Sequence, residues 1–287
     1  MKQKRNKLMK LVGWIFFLFA LAFFCLQMGY LFVHSRYQVE YIDNRLFYII
    51  NIFCVLCLIV AIFILLTLTK KIRIALSSVA LLFIIVNTWL LIKSNQQIKN
   101  ITSISPDWVQ VFSIKEDVAS GEAMYYRSYY GILGRAKERL SFYPQEEVKL
   151  EWLANDIAAV TYKAEDQTLQ QFIATYGDRG SGRSYYYVGA EMHGSWQADD
   201  SKVISDTEGI SIIENGKTEW FPWDNIVQFG TLAVVLMKNS EAAWTIALDE
   251  NFEVHSEALV PTTGNIILYK ATMEQTDPIV LRCEDEY

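Results

Sequence analysis

The chain has 287 residues, 52% of them hydrophobic, and a mean hydropathy of +0.15, which is too apolar for an ordinary soluble domain. Aromatics at 14% exclude intrinsic disorder, four cysteines exclude a disulfide-dense scaffold, and a formal charge of −6 excludes a strongly basic nucleic-acid-binding surface.

The charge is unevenly divided. Residues 1–92 carry ten Lys and Arg against two acids, Glu40 and Asp43, a balance of +8. Residues 93–287 carry 16 against 30, a balance of −14. An acidic surface of that size favours solubility and discourages binding to nucleic acid or anionic headgroups.

Residues 1–10 form a basic N-terminus. Leu11–Val33 follows as 23 positions without a charge, enough at a helical rise of about 1.5 Å per residue to cross a hydrocarbon core of roughly 30 Å. The run exceeds a signal-peptide core, and His34-Ser35-Arg36 does not resemble a cleavage site. After a neutral loop at 34–45, two more apolar runs, 46–69 and 74–92, flank a basic turn at 70–73. The positive-inside rule places the N-terminus and this turn in the cytoplasm, so the chain after Ile92 is expected on the outer face. Trp14 near the inner level, and Tyr30, Tyr37, Tyr41, Tyr48 and Trp89 near the outer level, fit that topology.

Each run carries one carboxamide, Gln27, Asn51 or Asn87, at one depth. A carboxamide facing lipid leaves donors and acceptors unpaired, so the three are expected to face one another as intramembrane packing residues. Cys25, Cys54 and Cys57 read as small apolar residues, with no neighbouring cation to stabilise a thiolate.

Residues 93–106 read as a polar stalk, and beyond it the periodicity turns to that of strands. Val148–Trp152 and Ile157–Tyr162 form a hairpin around Asn155-Asp156. Gly209–Ile213 and Lys217–Phe221 form another around Asn215-Gly216, the preferred type I′ pair. Further strands are expected at Trp108–Ile114, Ala123–Tyr130, Leu169–Tyr176, Ser184–Glu191, Ala242–Leu248 and Asn265–Thr272. Val227–Met237 reads as one buried central strand, and Ile132–Leu140 as a helix. The polar stretch Gln197–Glu208 is the expected boundary between β-rich subdomains at 107–197 and 198–287. Lys149–Asp156 matches Lys217–Asp224 at four of eight positions, so a duplicated β-unit is weighed. Gly209–Val227 resembles small bacterial pleckstrin-like β-domains over less than a tenth of the chain, and no function is carried over from that pattern. The fold class is therefore an α-helical membrane anchor of three transmembrane helices followed by a mainly antiparallel β extracytoplasmic domain.

No motif of nucleophilic catalysis, phosphate binding or zinc ligation is present, so no catalytic residue, metal or cofactor is assigned. The acidic loops at Asp199–Glu208 and Asp249–Glu253 lack the EF-hand pattern and read as solvated. Asp178, Arg179 and Arg183 form the candidate ligand-binding loop, where two guanidiniums flank glycines and can clamp a carboxylate or phosphate. In Tyr185-Tyr186-Tyr187 the rings cannot all be buried, and exposed tyrosine is a common element of binding faces. The expectation is a non-enzymatic multi-pass protein of the cell membrane displaying an acidic β-domain outside the cell. Its role would be protein binding, sensing or immunity-like protection of a membrane complex, with the bilayer and a protein as partners and no nucleic acid. The alternative is a small-ligand or cation-binding subunit of a membrane transporter.

Overall fold

The computed structural model describes residues 2–129, 131–141, 144, 148–180, 185–254 and 263–284, with residues 2–6 described by backbone alone. It divides into two compact units, residues 1–102 with 113–139, and residues 103–112 with 140–287.

The first unit opens with the helix α1 (Lys2–Tyr37), the two-residue strand β1 (Glu40–Tyr41), and the helices α2 (Arg45–Leu65) and α3 (Lys70–Gln97). All three helices are long and apolar enough to cross a membrane. α1 and α2 approach closely through small residues: Ala20 and Ala61 are buried, and a Cβ on Gly13 would lie 2.8 Å from Ile64 and Leu65. α2 stops four residues short of the expected end, and the link to α3 is Leu66–Thr69 rather than the basic residues. Lys70, Lys71 and Arg73 instead occupy the first turn of α3.

The expected stalk is not a separate element. α3 continues to Gln97 and passes directly into β2 (Ile98–Ile104). β3 (Val111–Asp117), β4 (Ala123–Tyr129) and β5 (Leu133–Arg139) follow, and the five strands form one sheet in the order β1-β5-β4-β3-β2. The segment expected as a helix at Ile132–Leu140 is thus β5. Its Leu, Ala, Lys, Glu and Arg residues favour a helix, but pairing with β4 on one side and β1 on the other overrides propensity. Gly134 marks where β5 meets the loop after β1, since a Cβ there would lie 2.6 Å from Ile42 Cδ1.

In the second unit β6 (Lys149–Ala154), β7 (Ile157–Lys163) and β8 (Leu169–Thr175) form a three-stranded antiparallel sheet. A short helix α4 (Val188–Glu191) precedes β9 (Gly194–Ala198), β10 (Ser201–Ser205), β11 (Gly209–Glu214), β12 (Lys217–Pro222), a 3₁₀ turn at Trp223–Asn225, β13 (Ile226–Phe229), β14 (Ala233–Lys238), β15 (Glu241–Leu248), β16 (Asn265–Lys270) and β17 (Ile279–Cys283). These nine strands form one antiparallel sheet, β12-β11-β10-β9-β17-β16-β15-β14-β13, curled into a nearly closed barrel whose end strands are joined by the 3₁₀ turn.

Gln197–Glu208 is therefore not a boundary. Asp199-Asp200 turns the β9/β10 hairpin, in which Ala198 pairs with Ser201, and Val203 is fully buried. The Asn215-Gly216 turn has positive φ at both residues, 51° and 74°, as a type I′ hairpin requires. The two matching strings sit at edges of different sheets, one in β6 and the other in β12.

Val227–Met237 is broken into β13 and β14 by a turn at Gly230, whose φ of 57° suits a residue without a side chain. β14, β15 and β16 are buried on both faces, which is why their sequences run apolar without alternation. Val234, Leu236, Trp244, Ile246, Ile266 and Leu268 fill the barrel. Ala233, Val235, Ala247, Ile267 and Tyr269 pack in a second core with Leu153, Ile157, Ala159 and Ile173 of the three-stranded sheet. Polar groups cross this second core in a satisfied chain: Thr245 donates to Gln171 Oε1, and Gln171 Nε2 donates to Thr161 Oγ1 at 2.9 Å.

Candidate functional site

Gln27, Asn51 and Asn87 meet between the three helices. Gln27 Nε2 donates to Asn51 Oδ1 at 2.8 Å and to the Phe47 carbonyl at 2.7 Å, and Asn51 Nδ2 donates to Asn87 Oδ1 at 3.3 Å. Asn87 Nδ2 ends on the Phe83 carbonyl, while the Tyr41 hydroxyl donates to Gln27 Oε1 at 3.0 Å. The chain satisfies polar groups where apolar neighbours offer nothing, and it ties α1, α2 and α3 at one level.

Beside it, Lys115 of β3 is buried, 5% exposed, with its ammonium 2.7 Å from Glu40 Oε2 and 4.2 Å from the ring centroid of Tyr126. Burial pulls the Lys115 pKa below the ordinary lysine value, and the Glu40 hydrogen bond and charge oppose that shift. Burial, with the Glu40 charge and hydrogen bond, pushes the Tyr126 phenol up to about 12. Tyr41, also pushed up to about 12 by burial, stacks on Tyr30 at 4.0 Å between centroids.

In the candidate loop, Asp178 Oδ1 accepts from the Gly180 N–H at 2.8 Å. Arg179 is 6% exposed at its side chain and turns into the protein. Its Nη1 and Nη2 meet the two Asp156 carboxylate oxygens at 2.6 and 2.9 Å, and its Nε and Nη2 donate to the Asp249 and Leu248 carbonyls at 2.6 and 3.2 Å. Its hydrogen-bonding capacity is committed to the fold, so an anion reaching it would have to displace Asp156. Arg183 lies outside the described residues. The Asp249–Glu253 loop is likewise fastened: Asp249 accepts from Asn265 Nδ2 and the Glu250 N–H, and Asn251 from the Asn265 N–H. Among the described residues no group of three or more His, Cys, Asp or Glu is arranged to hold a metal.

The tyrosine triplet is not in a strand. Tyr185–Tyr187 is irregular and Val188–Glu191 is a helical turn, because a side chain takes the place of a strand partner. Gln228 Oε1 accepts from the Val188 N–H at 3.1 Å, and its Nε2 donates to the Tyr186 and Gly230 carbonyls. The alternation survives: Tyr186 is 4% exposed, while Tyr185 and Tyr187 are 57% and 68% exposed and pack edge-to-face at 5.5 Å. Next to them a cleft of about 520 Å³ is lined by Tyr187, Gly189, His193, Asp206, Trp223 and Gln228, among others. No sequence pattern marks this cleft, because its walls come from α4, the β10/β11 turn, the 3₁₀ turn and β13, brought together only by the curl of the sheet.

A second exposed feature is the turn between β2 and β3. Trp108, 81% exposed, adopts φ 64°, an uncommon backbone conformation for a bulky residue. The turn around it is rigidly bonded: buried Ser105 accepts at its carbonyl from the Trp108 N–H and at its hydroxyl from the Gln110 N–H, while Asp107 accepts from Ser105 and Val109. Val109 beside it is exposed too.

No known protein family, curated protein or solved structure matches the chain.

Proposed function

We propose that the chain is a non-enzymatic, multi-pass protein of the cell membrane that displays an acidic β-domain on the outer face and captures a protein partner there. The three helices span the bilayer with the N-terminus in the cytoplasm. This reading is supported by the large apolar side chains they leave exposed, among them Leu18, Phe24, Leu31, Leu82 and Trp89, which water would not accommodate. It is also supported by the basic residues at the start of α1 and in the first turn of α3. Cations there oppose the helix dipole, a cost that cytoplasmic headgroups offset.

The observation that carries the protein-binding reading is Trp108. A large ring held out in solvent by a satisfied turn, on strained backbone, is the arrangement of an interface anchor. The role is accessory to a membrane complex: sensing, or immunity-like protection by contact. A photo-crosslinking residue in place of exposed Val109, beside the intact Trp108, tests the reading in cells, and Trp108→Ala is expected to abolish the crosslink to the partner it identifies. Crosslinks to lipid alone, or none, would remove the anchor. The orientation is tested with a Cys283→Ser, Lys217→Cys variant and a membrane-impermeant thiol reagent, since Lys217 is exposed and Cys283 half-buried. Labelling of intact cells is the expected result, and labelling only after lysis would place the domain inside.

A second reading, a small-ligand-binding role, is favoured by the cleft beside Tyr187.

A further inference from the structure

We propose that the cleft beside α4 binds a small organic ammonium ion. The inference deepens the second reading above, and it stands whichever side of the membrane the domain faces.

The cleft has the size of a small-molecule site, at about 520 Å³. Its walls are mostly apolar, from Gly189, Ala190, Ile226, Val234 and the rings of Tyr187 and Trp223. Two aromatic rings and one carboxylate, that of Asp206, line the cleft, and among the described residues that line it there is no Lys or Arg. Ring faces attract an ammonium through their quadrupole, and they do so best for alkylated ammonium ions, whose hydration is weak. Residues 93–287 carry a net −14, so the surrounding field also favours a cation over an anion.

The groups are positioned in advance. Trp223 packs over the backbone of Gly189, where any Cβ would overlap the indole, so glycine is what lets the ring sit in the wall. Gln228 Oε1 accepts from the Val188 N–H, and the two N–H groups of its Nε2 reach the Tyr186 and Gly230 carbonyls at 2.9 and 2.8 Å, which holds the α4 segment against β13. Asp206 Oδ1 accepts from the Glu208 and Gly209 N–H groups at 2.8 and 3.1 Å, which orients the carboxylate without neutralising it. Tyr185 packs edge-to-face with Tyr187, ring centroids 5.5 Å apart, and braces that lining ring. His193 adds a hydrogen-bonding group suited to a hydroxyl carried by the ligand.

The test is calorimetric titration of the full chain, in detergent micelles, with choline and with its uncharged tert-butyl analogue. Saturable choline binding at least tenfold tighter than that of the analogue is the expected result. Equal affinity would show an apolar cleft without cation selectivity, and absence of choline binding would overturn the assignment outright. Asp206→Asn, which keeps an oxygen for the turn, and Tyr187→Ala, at an exposed position, are each expected to weaken choline about tenfold while leaving the weak binding of the analogue unchanged after Asp206→Asn. If folded variants, judged by circular dichroism, bind choline as well as the parent, the site is elsewhere. Absence of the Val109 crosslink would leave these titrations unaffected, so the two proposals fail separately.

Discussion

Asp156 grips Arg179 through two parallel hydrogen bonds, of 2.6 and 2.9 Å, at a point where the guanidinium is almost wholly buried. Removing one partner of such a pair leaves a charge without compensation, typically a loss of about 3–5 kcal/mol. Asp156→Ala is expected to destabilise the second unit by that order, and the double variant Asp156→Leu, Arg179→Met by much less. Thermal unfolding followed by the near-ultraviolet dichroism of buried Trp196 and Trp244 checks this. A double variant as unstable as the single one would show that packing, not charge, sets the cost.

Gln171 carries the polar chain through the second core. Gln171→Leu would keep the volume but leave Thr161 and Thr245 hydroxyls without their amide partner, at about 1–3 kcal/mol for each group left unsatisfied. Thr161→Val and Thr245→Val added to it are expected to recover part of that loss. Denaturant titration of the three proteins measures it.

Asn51 is the middle member of the carboxamide chain. Asn51→Leu is expected to weaken helix association by about 1–2 kcal/mol, the scale of hydrogen bonds between helices in lipid. Gln27→Leu made on top of it should cost less than Gln27→Leu alone, since the partner is already gone. Steric-trap or forced-unfolding measurements in bilayers read both values.

The first unit should lose stability in alkali. A phenol held neutral to about 12 in the folded protein ionises near 10.0 when unfolded, so Tyr126 contributes stability below pH 10 that disappears as pH rises towards 12. Tyr41 acts in the same sense. Lys115 acts oppositely at lower pH: its folded pKa lies below the unfolded 10.5, so stability rises with pH between those two values. Tyr126→Phe keeps the ring beneath the ammonium and is expected to reduce the loss above pH 10. Melting temperatures against pH for both proteins test this, and identical curves would assign the alkaline transition elsewhere.

The three apolar helices and the Asn215-Gly216 hairpin were legible because each rests on a local signal, a long uncharged run or a pair that tolerates positive φ. The carboxamides are legible at one step further, since nearly equal distances from the helix ends and wholly apolar neighbours leave them few partners but one another. What local signals could not supply was the identity of pairing partners. β5 looks helical until β1 and β4 flank it, and Asp199-Asp200 looks like a linker until Val203 is seen in the barrel. The pairing of Arg179 with Asp156 is not legible either, because the two lie 23 residues apart and across a turn. The cleft escaped for the same reason, with Asp206 and Trp223 joined to Tyr187 only by long-range curvature.

Tyr41 belongs to two structures at once. Its hydroxyl is bonded to Gln27 in α1, and its backbone pairs with Leu133 in β5. The passage from apolar helix to sheet within this unit is thus a mechanical joint and not a slack tether. The carboxamides fix one level of the three helices, since sliding of one past another would break the bonds from Gln27 through Asn51 to Asn87. β1 is hydrogen-bonded into the sheet edge within four residues of the end of α1, so the place of that edge is set from the same level as the helices.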